Sequence, residues 1–365
     1  MLRWKSSLKP VAAAAPNDNF EFTVTTTTAS ETFTILCNNL GTFNAIIDWG
    51  DGTSTSTITA YNDADLAHTY ATAGDHDISI SGTFPNMQFA GSGDVTKIKS
   101  VNNMGSVGMT STYGMLWGAT NLTSFTVGDA DTSLVVRSHH MFRGCTSLTS
   151  LDLSTLDLSN SALLDNFLRD CTSLTSVDFS SFDTSSATAM TRMFSGCTSL
   201  TSLDISSFDT SSVQVMAHMF NGCTSLTSLD VSHFNTSNVT TMLAMFNGLS
   251  FTSLDLSSFD TSSVRNFNTM FNGMGGGTDQ LTITGIEDFD ITAALANRMN
   301  NFMANTGGLS TTVYDELLVN WEAQTGYNAQ NPNFGGSKYT ASSAAATARA
   351  ALITAGWSIT DGGTA

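Results

Sequence analysis

Cys145, Cys171, Cys197 and Cys223 fall 26 residues apart, and the sequence around them repeats with them. Each copy reads close to L-T-S-L-D-[LIVF]-S-S-F-D-T-S-S-V-x-x-M-x-x-M-F-x-G-C-T-S. A fixed period of this length describes stacked repeats. One copy cannot bury its apolar face alone, whereas neighbours in register close a continuous core. The period directs attention to long ruled surfaces, which suit recognition better than enclosed chemistry.

Coils begin near Leu122, Leu148, Leu174, Leu200, Leu226 and Phe251, with a last irregular one at Leu281. Leu229 to Leu254 spans 25 residues, and Leu249-Ser250-Phe251 replaces the usual corner there. Within one coil Leu200, Leu203 and Ile205 obey L-x-x-L-x-L, a strand signature. Asp209-Thr210-Ser211-Ser212 supplies capping oxygens, and Val213, Met216, Met219 and Phe220 then predict one face of a two-turn helix that stops at Gly222. The expected coil is strand, turn, short helix, turn. Equivalent cysteines should form a buried column whose parallel side chains suit a ladder of small apolar groups better than disulfides. Cys37 lies outside the array.

The repeated M-F-x-G-C-T-S-L-T-S-L-D unit resembles the BspA-like leucine-rich repeats of bacterial surface proteins, in the 25–26-residue DUF285 form. That family's asparagine position falls on Phe208, so the usual asparagine ladder is missing. Ahead of the array, short alternating segments (FEFTV, ETFTILC, FNAIIDW, STSTITAY, HDISISG) separated by turn signals predict a small β-sandwich. IIDWGDGTSTS with LAHTYATAGDHDISISG resembles the polycystic-kidney-disease (PKD) immunoglobulin-like module. The resemblance implies a spacer or binding unit with Trp49 and Tyr70 in its core and His68 as a structural histidine. FPNMQFAGSGDVTKIKSVNNMG is similar to the lead-in that joins such a module to an array.

The expected organisation is multidomain. An arm (1–19) precedes the β-sandwich (20–84), the α/β leucine-rich solenoid (85–309) and a small α-rich cap (310–365). In the cap, TTVYDELLVNW predicts a helix with Val313, Leu317, Leu318 and Trp321 on one face. SSAAATARAALITAG predicts a second helix closed by Gly356, and Trp357-Ser358-Ile359 a terminal strand. In the arm Arg3, Lys5 and Lys9 are basic, but Val11–Ala15 is too short and weakly apolar for a secretory leader. The arm is therefore expected to remain and to dock through Arg3, Trp4, Lys5 and Leu8.

Charged residues are only 12% of the chain, with 31 acidic against 13 basic and a formal charge of −18. Such a chain is repelled by phosphate backbones and anionic lipid, which argues against nucleic-acid partners. No apolar run is long enough to span a membrane. The chain has no G-x-S-x-G, Walker, H-E-x-x-H, C-x-x-C or G-x-G-x-x-G motif, so no catalysis and no cofactor are expected.

Two acidic ladders remain. Asp152, Asp178, Asp204, Asp230 and Asp255 should face outward from the strands as a solvated sheet. A cation-lined face, with Asp178, Asp204 and Asp230 as candidates and calcium as the ion, is the functional alternative. Asp157, Asp183, Asp209 and Asp260 fit helix caps, with calcium bridging again the alternative. Departures from uniformity gather elsewhere: Arg137, His139, His140, Arg143, Arg169, Arg192 and His218 fall on outward positions of the expected helix side. Such a basic patch suits an anionic glycan or an acidic protein.

The expectation is a non-enzymatic surface recognition protein, most simply a phage virion component such as a tail or head fibre or decoration protein. Its arm would meet other virion proteins, and its array a host-surface protein or glycan. A bacterial cell-surface adhesin and a purely structural lattice protein are the alternatives.

Overall fold

The computed structural model describes residues 18–128, 130–277 and 280–365. Near the N-terminus lie strands β1 (Phe20–Thr26), β2 (Glu31–Thr34), β3 (Asn44–Asp48), β4 (Ser56–Ile58), β5 (Ala67–Tyr70) and β6 (Gly74–Thr83). Alternation sends Phe20, Phe22 and Val24 inward, along with Ile78 and Ile80 of the partner strand. The strands β2 and β5 pair antiparallel in a small second sheet. Trp49 is buried; its indole N–H donates to Ser56 Oγ at 2.9 Å, and its carbonyl accepts from Tyr70 Oη at 3.1 Å.

The main sheet does not stop at residue 84. Two further strands, β7 (Ile98–Asn103) and β8 (Ser124–Phe125), join it, giving the order β4-β3-β6-β1-β7-β8. β7 pairs antiparallel with β1 and parallel with β8. One sheet thus converts from antiparallel hairpin pairing to the parallel pairing of successive coils. β9 (Ser150–Asp152) and β10 (Ser176–Asp178) continue the parallel pattern, as do β11 (Ser253–Asp255) and β12 (Thr282–Thr284). The first module therefore covers the end of the array instead of standing apart from it. A single hydrophobic core runs from Phe20 to Trp357.

The expected helix in each coil is absent among the described residues. The stretch from Met216 to Cys223 is a series of overlapping turns: Met219 N donates to Met216 O, Asn221 N to His218 O and Cys223 N to Phe220 O. The intervening amides point to the next coil, where His218 donates to Leu243 O, Phe220 to Met245 O and Gly222 to Asn247 O. His218 has φ 59° and Gly222 φ 76°, left-handed values that end any helix. Met216, Met219, Phe220 and Cys223 are nonetheless buried, because a ribbon of turns presents the same spacing inward as a helix would. The ribbon repeats coil after coil, with Arg192, Phe194 and Gly196 bonded to Ala217, Met219 and Asn221.

The core columns stack in register. Phe194, Phe220, Phe246 and Phe271 lie ring on ring, with centroids 5.6, 6.0 and 5.7 Å apart. Each cysteine of the array is buried and free, and its thiol donates to the carbonyl 29 residues earlier, as Cys171 does to Phe142 O at 3.0 Å. Burial pushes the Cys171 and Cys223 thiols up to about 12. The missing asparagine ladder has a substitute: Thr184, Thr210, Thr236 and Thr261 are buried, and their hydroxyls donate to the carbonyl one coil on.

At the far end, α1 (Thr311–Ala323) is capped by Ser310 and buries Tyr314, Leu317, Leu318 and Trp321. Tyr314, not the expected Val313, completes that face; Val313 is only partly buried. The second helix, α2 (Ala344–Thr354), ends at Gly356 with φ 96°. The expected terminal strand is reduced to isolated bridges, Asn333 with Thr360 and Tyr339 with Thr364. Asp361 ties the region together, accepting from Tyr314 Oη at 2.7 Å and from Arg349 through two nitrogens at 2.8 and 3.2 Å. Trp321 and Phe334 close the phenylalanine column against Phe302.

Candidate functional site

Both acidic ladders are occupied by local turns. Asp178, Asp204 and Asp230 each accept the amide two residues on, from Ser180, Ser206 and Ser232. Asp183, Asp209 and Asp260 do the same for Ser185, Ser211 and Ser262, so the second ladder forms Asx turns where helix caps were expected. Serine hydroxyl and amide donors hold Asp204, Asp209, Asp255 and Asp260 below the usual carboxylate range. Among the described residues no three His, Cys, Asp or Glu side chains are grouped to hold a metal ion. His68 stacks on Trp49 at 5.0 Å and meets Asp51 at 2.8 Å.

The turn ribbon differs. Its outward positions form columns at the repeat spacing, and in the first coils these columns carry aromatic and basic residues. One column runs Gly91, Trp117, Arg143, Arg169, Ser195, Asn221 and Asn247. Arg143 lies over the Trp117 ring at 4.4 Å. A Cβ on Gly91 would come within 3.1 Å of that ring, so a side chain there would crowd the indole. His140 stacks on Trp117 at 4.9 Å, and Tyr113 meets His139 at 4.1 Å. The neighbouring column holds His140, Asn166, Arg192 and His218, all with positive φ; the histidines and Arg192 are half-buried and Asn166 is buried. Arg137 is exposed one step away, in a parallel bridge to Ser111.

Asp170 takes the position that is glycine in the neighbouring coils at Gly144, Gly196 and Gly222, and it keeps their left-handed backbone at φ 62°. Its carboxylate lies 3.2 Å from Arg169 Nε, and Asn166 Oδ1 accepts from the same guanidinium at 3.3 Å. Among the described residues no carboxylate pairs with Arg137, Arg143 or Arg192. Burial first, then Arg169 and Arg192, hold Arg143 below its ordinary value. Burial and then Arg143 bring His140 down to about 4; burial also lowers His139 and His218, so all three rings are neutral near pH 7.

The structure thus brings His140, Arg143, Arg169, Arg192 and His218 into one stripe. Arg3, Trp4, Lys5 and Leu8 lie outside the described residues. Trp117, Tyr113 and Asp170 were not singled out from sequence. The signal for all three was available: Trp117 and Tyr113 precede Arg143 and His139 by 26 residues, and Asp170 breaks the glycine period.

Stacked coils whose basic and aromatic residues gather mainly on the turn face, with His233 an exception beside the Asp204 and Asp230 ladder, define a tandem-repeat protein of the BspA-like kind. The family model described as "Mycoplasma protein of unknown function, DUF285" matches residues 80–202 and 162–285, together more than half of the chain, which belongs to that family. No curated protein and no solved structure matches it. Among the described residues no helix is long and apolar enough to cross a membrane.

Proposed function

We propose that this chain is a non-enzymatic recognition protein displayed on a surface, as a virion fibre or decoration protein. In this reading residues 20–84 are a PKD-like module, and the coils form a leucine-rich solenoid capped by residues 310–365. The arm with Arg3, Trp4, Lys5 and Leu8 docks to the particle. The observation that carries the reading is the contrast between faces. From Asp152 to Asp255 the strand side repeats one Ser-x-Asp pattern, its carboxylates spent on turns. The variable positions of the turn side gather Trp117, His140, Arg143, Arg169 and Arg192 in consecutive coils, and Asp170 departs from the repeat's glycine. A purely structural array has no need of such a local departure. The PKD-like reading is supported by the Trp49–Tyr70 bond and by His68 on Asp51 in the Gly50-Asp51-Gly52 turn.

Removal of residues 1–17 tests the display role. Asp18, whose carbonyl accepts from Ser106, and Phe20, which opens β1, both remain, so the fold should melt unchanged. The truncated protein should fail to enter particles. Normal incorporation would refute docking through the arm, and an exported, cell-attached protein would replace the virion setting by a bacterial surface.

A further inference from the structure

We propose that the turn-face stripe binds a linear saccharide carrying an isolated oxyanion, a carboxylate or a sulfate, seated between Arg143, Arg169 and Arg192. The inference rests on the recognition role above and names its ligand class. Of the three guanidiniums on successive coils only Arg169 has a carboxylate partner among the described residues, Asp170. Asp165 beside the histidines accepts from the Thr191 amide, and the adjacent histidines add no charge at neutral pH. Like charges at such spacing are unfavourable alone and favourable around an anion. Arg143 lies 4.4 Å over the Trp117 ring and its Nη1 is 3.5 Å from His140 Nδ1, contacts that position the guanidinium before any ligand arrives. A planar fork in that position suits two-point bonding to a carboxylate or sulfate oxygen pair.

The whole-chain charge of −18 limits the ligand. A long polyanion would meet repulsion from the rest of the surface, whereas a single acidic group on an otherwise neutral chain would not. Beyond the arginines and a buried Ser195 the same column continues as Asn221 and Asn247, partly exposed amides that match sugar hydroxyls. Parallel-paired coils repeat at ~4.8 Å, close to the advance of one sugar ring. An extended peptide returns a side chain to the same face only every ~6.6 Å or so, and falls out of step with the columns. Saccharide therefore fits the stripe better than peptide.

The test uses the full chain against immobilised oligosaccharides: uronate-containing, sialylated and sulfated chains, their neutral backbones, and an acidic peptide, with titration calorimetry on whatever binds. We expect acidic saccharides to bind and neutral backbones not to. Arg143→Gln and Arg192→Gln should each weaken binding about tenfold or more at an unchanged melting temperature. Arg143→Lys, which keeps the charge and loses the fork, should be weakened as well. Sialylated or uronate chains binding while sulfated ones do not would identify the carboxylate as the source of the anion, and the reverse the sulfate. Equal binding of neutral backbones, or indifference to both Gln variants, would overturn the proposal. So would binding of the acidic peptide alone. The recognition role is read separately, from attachment of the full chain to whole cells. If the Gln variants abolish attachment but no saccharide binds, the ligand class is wrong and the role stands; if attachment ignores them, the role of this face falls too.

Discussion

Buried threonines hold the coils together at single positions. Thr210 Oγ1 donates to Asn235 O at 3.0 Å and accepts from Asn235 N at 2.8 Å, so one hydroxyl satisfies both backbone groups of the next coil. Thr210→Val keeps the shape and strands both groups, and should cost about 1–3 kcal/mol in denaturant unfolding. A loss near zero would mean that water replaces the hydroxyl. Acid should also destabilise the fold, for two separable reasons. His140 is held at about 4 against an ordinary 6.5, so the fold favours its neutral ring, and that contribution is lost as pH falls from 6.5 to about 4. Asp152, Asp204, Asp209 and Asp260 titrate below their ordinary 3.8, so their contribution persists to lower pH and fades beneath that value. The melting temperature should decline gently below pH 6.5 and steeply below pH 4, and His140→Gln should flatten the gentle limb without abolishing it, since His139 and His218 are lowered too. A melting temperature that rises on acidification to pH 4 would contradict these assignments.

At the scale of elements, the coil's spine is the ribbon of turns rather than the strand. In the middle coils the strand side contributes little, Thr227 N reaching Thr201 O only at 3.4 Å. Hydrogen exchange should therefore be slowest at His218, Phe220 and Gly222 and faster at Ser202–Asp204. The opposite order would return the stabilising role to the strands. This is also where sequence reading reached its limit. The apolar spacing of Val213, Met216, Met219 and Phe220 was legible, and those side chains are buried. Helix and ribbon share that spacing, however. What separates them is the left-handed backbone at His218 and its equivalents, and the preference of histidine and asparagine for that conformation is diluted because His140, Asn166, Arg192, His218 and Ala244 fill the position in turn. The same ambiguity placed Val313 where Tyr314 belongs, since adjacent apolar residues blur the phase of a helix. Asp204 and Asp209 were legible as ladders but not as turns, because a carboxylate two residues before a serine suits either role.

For the whole molecule, the N-terminal module and the helical tail play matching parts. β1 and β7 close one end of the array, and Trp321 with Phe334 closes the other, so neither terminal coil leaves its core wet. The pairing of β7 with β1 was not legible in the sequence, because strand pairing across the 84–98 boundary leaves no trace in composition. With both ends covered and the strand face repeating Ser-x-Asp from Asp152 to Asp255, broken only by the nearby His233, the turn face from Trp117 to His218 is the surface best suited to a partner. Imaging the protein in place on its particle or cell by electron cryomicroscopy tests that claim most directly. The N-terminal end should be seated and the turn face carrying Arg143, Arg169 and Arg192 should point outward, free of neighbouring copies. A turn face packed against copies of the same chain, with the strand side outermost, would contradict it.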